Sequence, residues 1–477
     1  MIRTRRAAAR TDAGAEGLAM AKPKKSSTIS RRRFLAGSAT GAAAAAVFGR
    51  APAVLGQQTR ELQVWHTEVE PQTVKTIQDT SIAEFEKKFP GFKVKQQALG
   101  WGDLNTKLLA ALAAGSPPDL THLNPFMTAS LYVKGQIRPM DELIRALGEK
   151  DIHEATLKLQ YFDGKYYGVT HAMGATYFAE RRDLREQKGI KAPETYEDML
   201  KLAAALTDDK RYALQMPGEK LYMGFVHPAE WLAGNGGTWV DAKTWRPQLN
   251  SRAMLESLEY LQKLNKYMPQ GWSGQKYLDT LAALSTGKIA MAHLSGARTI
   301  GYIERYAPEN MRDPEHFQPM LRPHGPSGKV GISALDGENW AVFTQSKYPN
   351  ESFEFLRLFY KKENYLPYCH SVPIHLSPIF KSMLNDPEYL ANPRIKKWKS
   401  WHDVMIAGLN QQRFLPIGFS RPEDNLLPFL AELDGSGIVA DMVVEVMVGG
   451  KNPKAEADRA QKRAEELLTQ LGHKRWS

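Results

Sequence analysis

Residues 62–120 read LQVWHTEVEPQTVKTIQDTSIAEFEKKFPGFKVKQQALGWGDLNTKLLAALAAGSPPDL, and this stretch decides the fold. Leu62-Gln63-Val64-Trp65 forms a short strand pattern. Val74, Ile77, Ile82, Phe85 and Phe89 then recur at roughly helical spacing until Pro90-Gly91 ends the run. Phe92-Lys93-Val94-Lys95 alternates as a second strand. Leu104, Leu108, Leu109 and Leu112 mark a second helix, closed by Gly115 and Pro117-Pro118, after which Asp119-Leu120 opens a third strand. Strand, helix, strand, helix, strand predicts an open α/β sheet, in which ligands sit outside the carboxyl ends of the strands. The loops after Trp65, after Gln97 and after Leu120 are therefore expected to face a cleft.

Upstream lies a segment of different character. The chain carries 63 Lys and Arg against 52 Asp and Glu, an excess of 11. Eleven of the basic residues and only two acidic ones fall within residues 1–53, which leaves a net of +2 for the rest. The body therefore has no electrostatic footprint for nucleic acid. Within the leader, Arg31-Arg32-Arg33 precedes a weakly apolar run from Phe34 to Phe48, followed by Ala51-Pro52-Ala53 at a cleavage pattern. Fifteen residues are too few to span a bilayer, which takes about 20. Ser30-Arg31-Arg32-Arg33-Phe34-Leu35 resembles the twin-arginine export signal. Residues 1–53 are thus expected to be a signal peptide, handled by the twin-arginine translocase and a signal peptidase, with the periplasm as destination. Cys369 is the only cysteine, so multi-thiolate iron-sulfur ligation and an intrachain disulfide are excluded.

The body, about 420 residues, is beyond the size of a single growing core, which predicts two domains. Alternation resumes after Asp163-Gly164-Lys165-Tyr166-Tyr167-Gly168. Helix patterns follow at 196–206 and 251–267. Asn452 and Pro453 cap and start a closing helix whose apolar face is Ala457, Ala460, Ala464, Leu467 and Leu471.

In order along the chain, KLLAALAAGSPPDL (107–120), DGKYYGV (163–169), GIKAPETYEDML (189–200), STGKIAMAHLSG (285–296), DGENWAVFTQSKYPNESFEFL (336–356) and GGKNPKAEADRAQKRAEELL (449–468), together with the strand that ends in Trp65, resemble the extracellular solute-binding proteins of ABC importers, in the branch that includes maltose-binding protein. The resemblance implies an α/β, two-lobed periplasmic binding protein fold, crossed three times and closing on solute by hinge bending. The crossings are expected near 170–174, 294–298 and 337–340. Residues 54–170 and 295–338 would then form the amino-terminal lobe, and 171–294 and 339–477 the carboxyl-terminal lobe. The implied function is a monomeric, cofactor-free receptor that delivers a sugar or related polyhydroxylated solute to the membrane subunits of an ABC permease. Two alternatives stay open: the same fold holding an anionic solute such as a uronate or phosphorylated polyol, and an exported carbohydrate-active enzyme.

Catalytic signatures are absent from the sequence: no Gly-x-Ser-x-Gly, no His-Glu-x-x-His and no Walker lysine loop. The twelve histidines are scattered without a metal-ligand spacing. Sugar receptors offer flat rings to the C–H faces of the solute and polar groups to its hydroxyl rim. The expected rings are Trp65, Trp101, Trp231, Trp272 and, foremost, Trp340 beside Glu338 and Asn339, with Tyr177 at the family's aromatic position. Each ring has a packing role as its competing reading. The expected polar contacts are His66 and Glu68 after the first strand, Asp119 and Asn124 around the third, and the turn at Asn235 and Gly236. Gly296 and Arg298 stand where relatives carry Gly-x-Trp. Arg298 exchanges a stacking ring for a fork of donors, either for solute or for a structural ion pair.

Overall fold

The computed structural model describes residues 59–476, apart from 219–222, 242, 294–295, 412, 417–426 and 428. The leader expected at 1–53 and positions 294–295 of one expected crossing lie outside the described residues. In chain order the strands are β1 (Arg60–His66), β2 (Phe92–Ala98), β3 (Leu120–Leu123), β4 (Tyr161–Phe162), β5 (Lys165–Tyr166), β6 (Val169–Thr170) and β7 (Gly174–Ala175). They continue with β8 (Phe178–Arg181), β9 (Tyr212–Gln215), β10 (Ile289–Ala292), β11 (Phe317–Met320), β12 (Ser333–Asp336), β13 (Asn339–Val342) and β14 (Phe414–Pro416).

The first sheet has the order β2-β1-β3-β13-β6. β1 runs parallel to β2 and to β3, as helical crossovers require, while β13 is antiparallel to both β3 and β6. The helix Trp101–Ala113 supplies one crossover. Its Leu104 and Leu108 pack with Trp65 and Leu123, whereas Leu109 stays exposed, so two of the leucines lie on the helix face turned to the sheet. Full burial of such a leucine contributes about 1.5–3 kcal/mol. The second sheet has the order β11-β8-β10-β9.

A third sheet, β14-β12-β7, is built from segments that link the other two. β7 lies between β6 of the first sheet and β8 of the second, and β12 lies between β11 of the second and β13 of the first. β14 precedes the helices Leu430–Gly435, Ile438–Met447 and Pro453–Gln470, of which the last two pack on the helix Arg252–Asn265.

Hydrogen-bond pairing distributes the strands differently from the expected lobe boundaries. Phe317–Met320 pairs with β8, so it belongs with the second sheet, and Asn339–Val342 inserts between β3 and β6 of the first. The stretch around Arg298 adjoins the second sheet and also reaches Glu68 beside the first. It leads from β10 into the helix Thr299–Tyr306, which packs on the helix Tyr277–Ser285. The linking segments are 174–175, 333–336 and 414–416.

Candidate functional site

Strand directions decide where chemistry gathers. β1 and β3 run parallel, β13 runs against β3, and β6 runs against β13, so the carboxyl ends of β1, β3 and β6 share one end of the first sheet with the amino end of β13. The linking strands leave from that end. In the second sheet the carboxyl ends of β10 and β11 meet the amino end of β8, where the links arrive. Each of these ends carries a buried polar cluster.

At the first sheet the cluster centres on Glu68. Arg298 Nη2 lies 3.2 Å from Glu68 Oε2 and 2.8 Å from His375 Nε2, and Arg298 Nη1 contacts Glu70 Oε1. His171 Nε2 lies 3.2 Å from Glu338 Oε2, and its Nδ1 is 2.6 Å from the Tyr368 hydroxyl. The His171 ring stacks on that of His122 at 4.1 Å and 16°. Thr67 turns its backbone N–H and its hydroxyl toward His122 Nδ1, at 3.3 and 3.0 Å. Burial alone would push the Glu68 carboxyl up, but Arg298, His171 and His375 outweigh it and hold it down at about 2. Burial lowers His66 to about 4 and His375 to about 3, in the latter case with help from the Arg298 charge.

At the second sheet the centre is Glu230. Its Oε1 accepts the Ala334 N–H at 2.8 Å and the Thr176 hydroxyl. Its Oε2 lies 2.9 Å from Arg322 Nη2, both side chains being fully buried. His227, one turn before Glu230 in the helix Met223–Gly234, faces His293 with ring centroids 4.5 Å apart, and His293 stacks on Trp231 at 5.2 Å and 6°. Burial pushes Glu230 up, and it pushes Arg322, His227 and His293 down.

Five expected residues meet at the first cluster: His66, Glu68, Gly296, Arg298 and Glu338. Gly296 has φ +49°, and a Cβ there would meet the Ala175 carbonyl at 3.3 Å and His375 Nδ1 at 3.8 Å.

The rings behave differently from expectation. Trp340 is fully buried, edge-on to Phe355 and Phe359 of the helix layer and, with centroids 3.9 Å apart, to His122 of the first cluster. Trp231 packs among Phe178, Tyr196 and Tyr260, and stacks on His293 of the second cluster. Trp272 is buried and donates its indole N–H to Asn265 at 2.7 Å. Trp65 is covered by the helix Trp101–Ala113 and by the Lys107 ammonium 4.4 Å above its ring, and Trp101 opens that helix. Tyr177 packs edge-on against Trp401 in the core.

Several polar candidates are structural. Asp119 lies at the amino end of β3, the end away from the clusters, where it accepts from the Gln63 N–H and the Ser346 hydroxyl. Asn124 caps the helix Pro125–Val133 by accepting from the Met127 N–H at 2.9 Å. Asn235 commits its amide to Ser327, Ala253 and Glu256. Gly236 sits at φ +75° against the Ser327 carbonyl. Asn339 accepts from the Thr128 hydroxyl at 2.8 Å.

The second cluster and His122, His171 and His375 escape sequence reasoning, because metal-ligand spacing is the one local signal by which histidines are weighed and these have none. Two groups bring carboxylate and imidazole donors within 4.8 Å of one another: His227, Glu230 and His293, and Glu68, His171 and Glu338. In each, a guanidinium already sits on one of the carboxylates, Arg322 on Glu230 and Arg298 on Glu68. That positive charge opposes a dication at the same oxygens.

Over residues 80–397 the sequence matches the family of bacterial extracellular solute-binding proteins. The Escherichia coli (strain K12) protein YcjN, named for an ABC transporter periplasmic-binding protein, is 22% identical over 430 residues, covering 86% of this chain and 93% of its own length. The mannitol-binding protein of Pseudomonas aeruginosa is 25% identical over 214 residues, 43% of this chain and 49% of its own. A solved ABC transporter solute-binding protein of Agrobacterium radiobacter K84 in complex with ribitol aligns with a TM-score of 0.72 at 20% identity, covering 86% of this chain and 99% of that one. Maltose-bound MalE3 of T. maritima gives a TM-score of 0.70 at 16% identity, over 86% and 100%. The fold is thus the mixed α/β fold of the periplasmic binding proteins.

Proposed function

The chain belongs to the family of bacterial extracellular solute-binding proteins, which are non-catalytic receptors, and from that premise we propose that it captures a sugar or polyol between its two sheets for an ABC importer. The observation that carries the reading is the pair of buried polar clusters, centred on Glu68 and on Glu230, at the sheet ends that the linking strands join. A polyhydroxylated solute offers both donors and acceptors on every side, and such clusters match it with carboxylate, imidazole and guanidinium groups. Relatives named or solved with mannitol and ribitol support the polyol class. The membrane subunits of a permease are the receiving partner. Export through the twin-arginine translocase, with removal of the leader by signal peptidase and release into the periplasm, follows from the sequence of residues 30–53.

The net charge of the first cluster favours an uncharged solute. Glu68 and Glu70 share one guanidinium, Arg298, and Glu338 sits against the His171 imidazole, so a uronate or phosphate there would meet an excess of carboxylate charge. Calorimetric titration of the mature protein with ribitol, D-mannitol, D-tagatose and maltose tests the reading. Saturable binding of at least one, with a raised melting temperature and no turnover, is the expected result. Failure of all four to bind, or conversion of a bound glycoside to products, would overturn it.

A further inference from the structure

The Glu230 cluster holds more hydrogen-bonding capacity than its neighbours use. Among the described residues Arg322 Nε and Nη1 have no acceptor, and the Nη2 contact with Glu230 Oε2, at 2.9 Å, has ion-pair distance without hydrogen-bond alignment. Both ring nitrogens of His227, both of His293 and Oε2 of Glu230 are likewise without a hydrogen-bond partner. All four side chains are almost wholly buried. Buried polar groups in folded proteins are nearly always satisfied, and each one left over is destabilising. Four such residues from three elements, the helix Met223–Gly234 and the ends of β10 and β11, converge on one sheet end and point to a partner from outside the chain.

The inventory specifies that partner. Arg322 offers only donors and Glu230 Oε2 only acceptance, while each neutral imidazole offers one of each. A pair of adjacent hydroxyls fits, since each hydroxyl can accept from the guanidinium and donate to the carboxylate or to an imidazole nitrogen. Charge excludes the neighbouring classes. Arg322 and Glu230 neutralise one another, so an anion added to this buried site would be uncompensated, and a dication would meet the guanidinium. Position agrees: His293 directly follows β10, Arg322 lies just past β11, and Thr176, which bonds Glu230, precedes β8. Ligands of open α/β sheets bind at this kind of strand end.

We infer that Arg322, Glu230, His227 and His293 form the subsite that grips a vicinal diol of an uncharged solute and discriminates it from the corresponding acid. This rests on the receptor reading above and names the chemistry of one wall.

The test compares ribitol with D-ribonate and D-mannitol with D-mannonate, by calorimetry on the wild type and on Glu230→Gln. For the wild type, the bound polyol should exceed its acid by 100-fold or more in affinity. Glu230→Gln should weaken polyol binding at least 10-fold and narrow the polyol-to-acid ratio at least 10-fold, since it leaves Arg322 uncompensated; a purely structural Glu230 would weaken both ligands alike. Because that buried variant can fail to fold, Trp231 provides a second readout. Its ring stacks on His293, so polyol binding should change its emission, and Trp231→Phe should abolish that change while binding persists. Acid bound as tightly as polyol by the wild type, an unchanged ratio in a folded Glu230→Gln, or no Trp231 component in the emission change would each overturn the subsite while leaving the receptor function standing. If no polyol or sugar binds the wild type, both readings fall.

Discussion

The Arg298 guanidinium, 230 residues from Glu68 in sequence, lies 3.2 Å from its carboxylate and ties the helix that starts at Thr299, beside the second sheet, to the loop that leaves β1 of the first. The same guanidinium contacts Glu70 through Nη1 and His375 through Nη2, so both terminal nitrogens are engaged within the protein. Arg298 thus braces the two halves through these contacts.

Removing Arg298 leaves the buried Glu68 uncompensated, and breaking a buried pair in this way costs about 3–5 kcal/mol. Arg298→Ala should lose stability of that order in urea titrations, and Arg298→Lys should retain part of it, since one ammonium cannot serve Glu68, Glu70 and His375 together. In small-angle scattering, solute-free Arg298→Ala should have a larger radius of gyration than the wild type. Unchanged stability and unchanged scattering would remove the brace.

Trp340 lies at the centre of the first core, between His122 and the Phe355 and Phe359 rings. Trp340→Ala should cost about 3–5 kcal/mol of stability through the cavity it leaves. Solute affinity should change little in whatever fraction stays folded. A large loss of affinity with an unshifted melting temperature would return the ring to the cleft.

These two residues mark how far the sequence can be read. The strand and helix periods from Leu62 to Leu120 are legible because parallel strands and crossover helices impose separate repeats of about 2 and 3.6 on the apolar residues. The fold class follows from them and from the ordered motifs. The lobe boundaries are not legible, because pairing of Asn339–Val342 with β3 is a contact across more than two hundred residues that leaves no local pattern. The first cluster is legible in part: Glu68 and Arg298 fall in segments expected at the cleft. Trp340 shares a strand with Asn339, and which face each takes depends on register against β3 and β6, not on the residue type. Glu230 and Arg322 are invisible as a pair because their meeting depends on β8, β10 and β11 lying side by side.

Acid should destabilise the protein earlier than its carboxylates alone would require. His66 is held at about 4 and His375 at about 3, both below their ordinary value of 6.5, chiefly by burial. A buried imidazole with a depressed value contributes stability that is complete above 6.5 and is lost as pH falls through that value toward 4, because the unfolded chain takes up the proton first. The loss should approach about 3 kcal/mol for His66, since each tenfold weakening of proton affinity on folding is worth about 1.4 kcal/mol. Glu68, held near 2, adds a further loss as pH falls from the ordinary carboxylate value of 4.5 toward 2. Urea unfolding at pH 7.5 and pH 4.5 checks this, and His66→Gln should flatten the difference between the two.

The leader makes an independent prediction. Arg31 and Arg32 lie in Ser30-Arg31-Arg32-Arg33-Phe34-Leu35, and the twin-arginine pathway reads paired guanidinium groups instead of charge alone. Replacing both by lysine preserves the charge of the segment while removing the planar forks. Precursor should then accumulate in the cytoplasm, with the periplasmic fraction falling at least 10-fold on immunoblots. Wild-type mature protein should begin near Val54, just after Ala51-Pro52-Ala53, as read by amino-terminal sequencing. Export of the double lysine variant at the wild-type level would assign the leader to another route, because a signal that depends only on basic charge and an apolar run does not distinguish lysine from arginine.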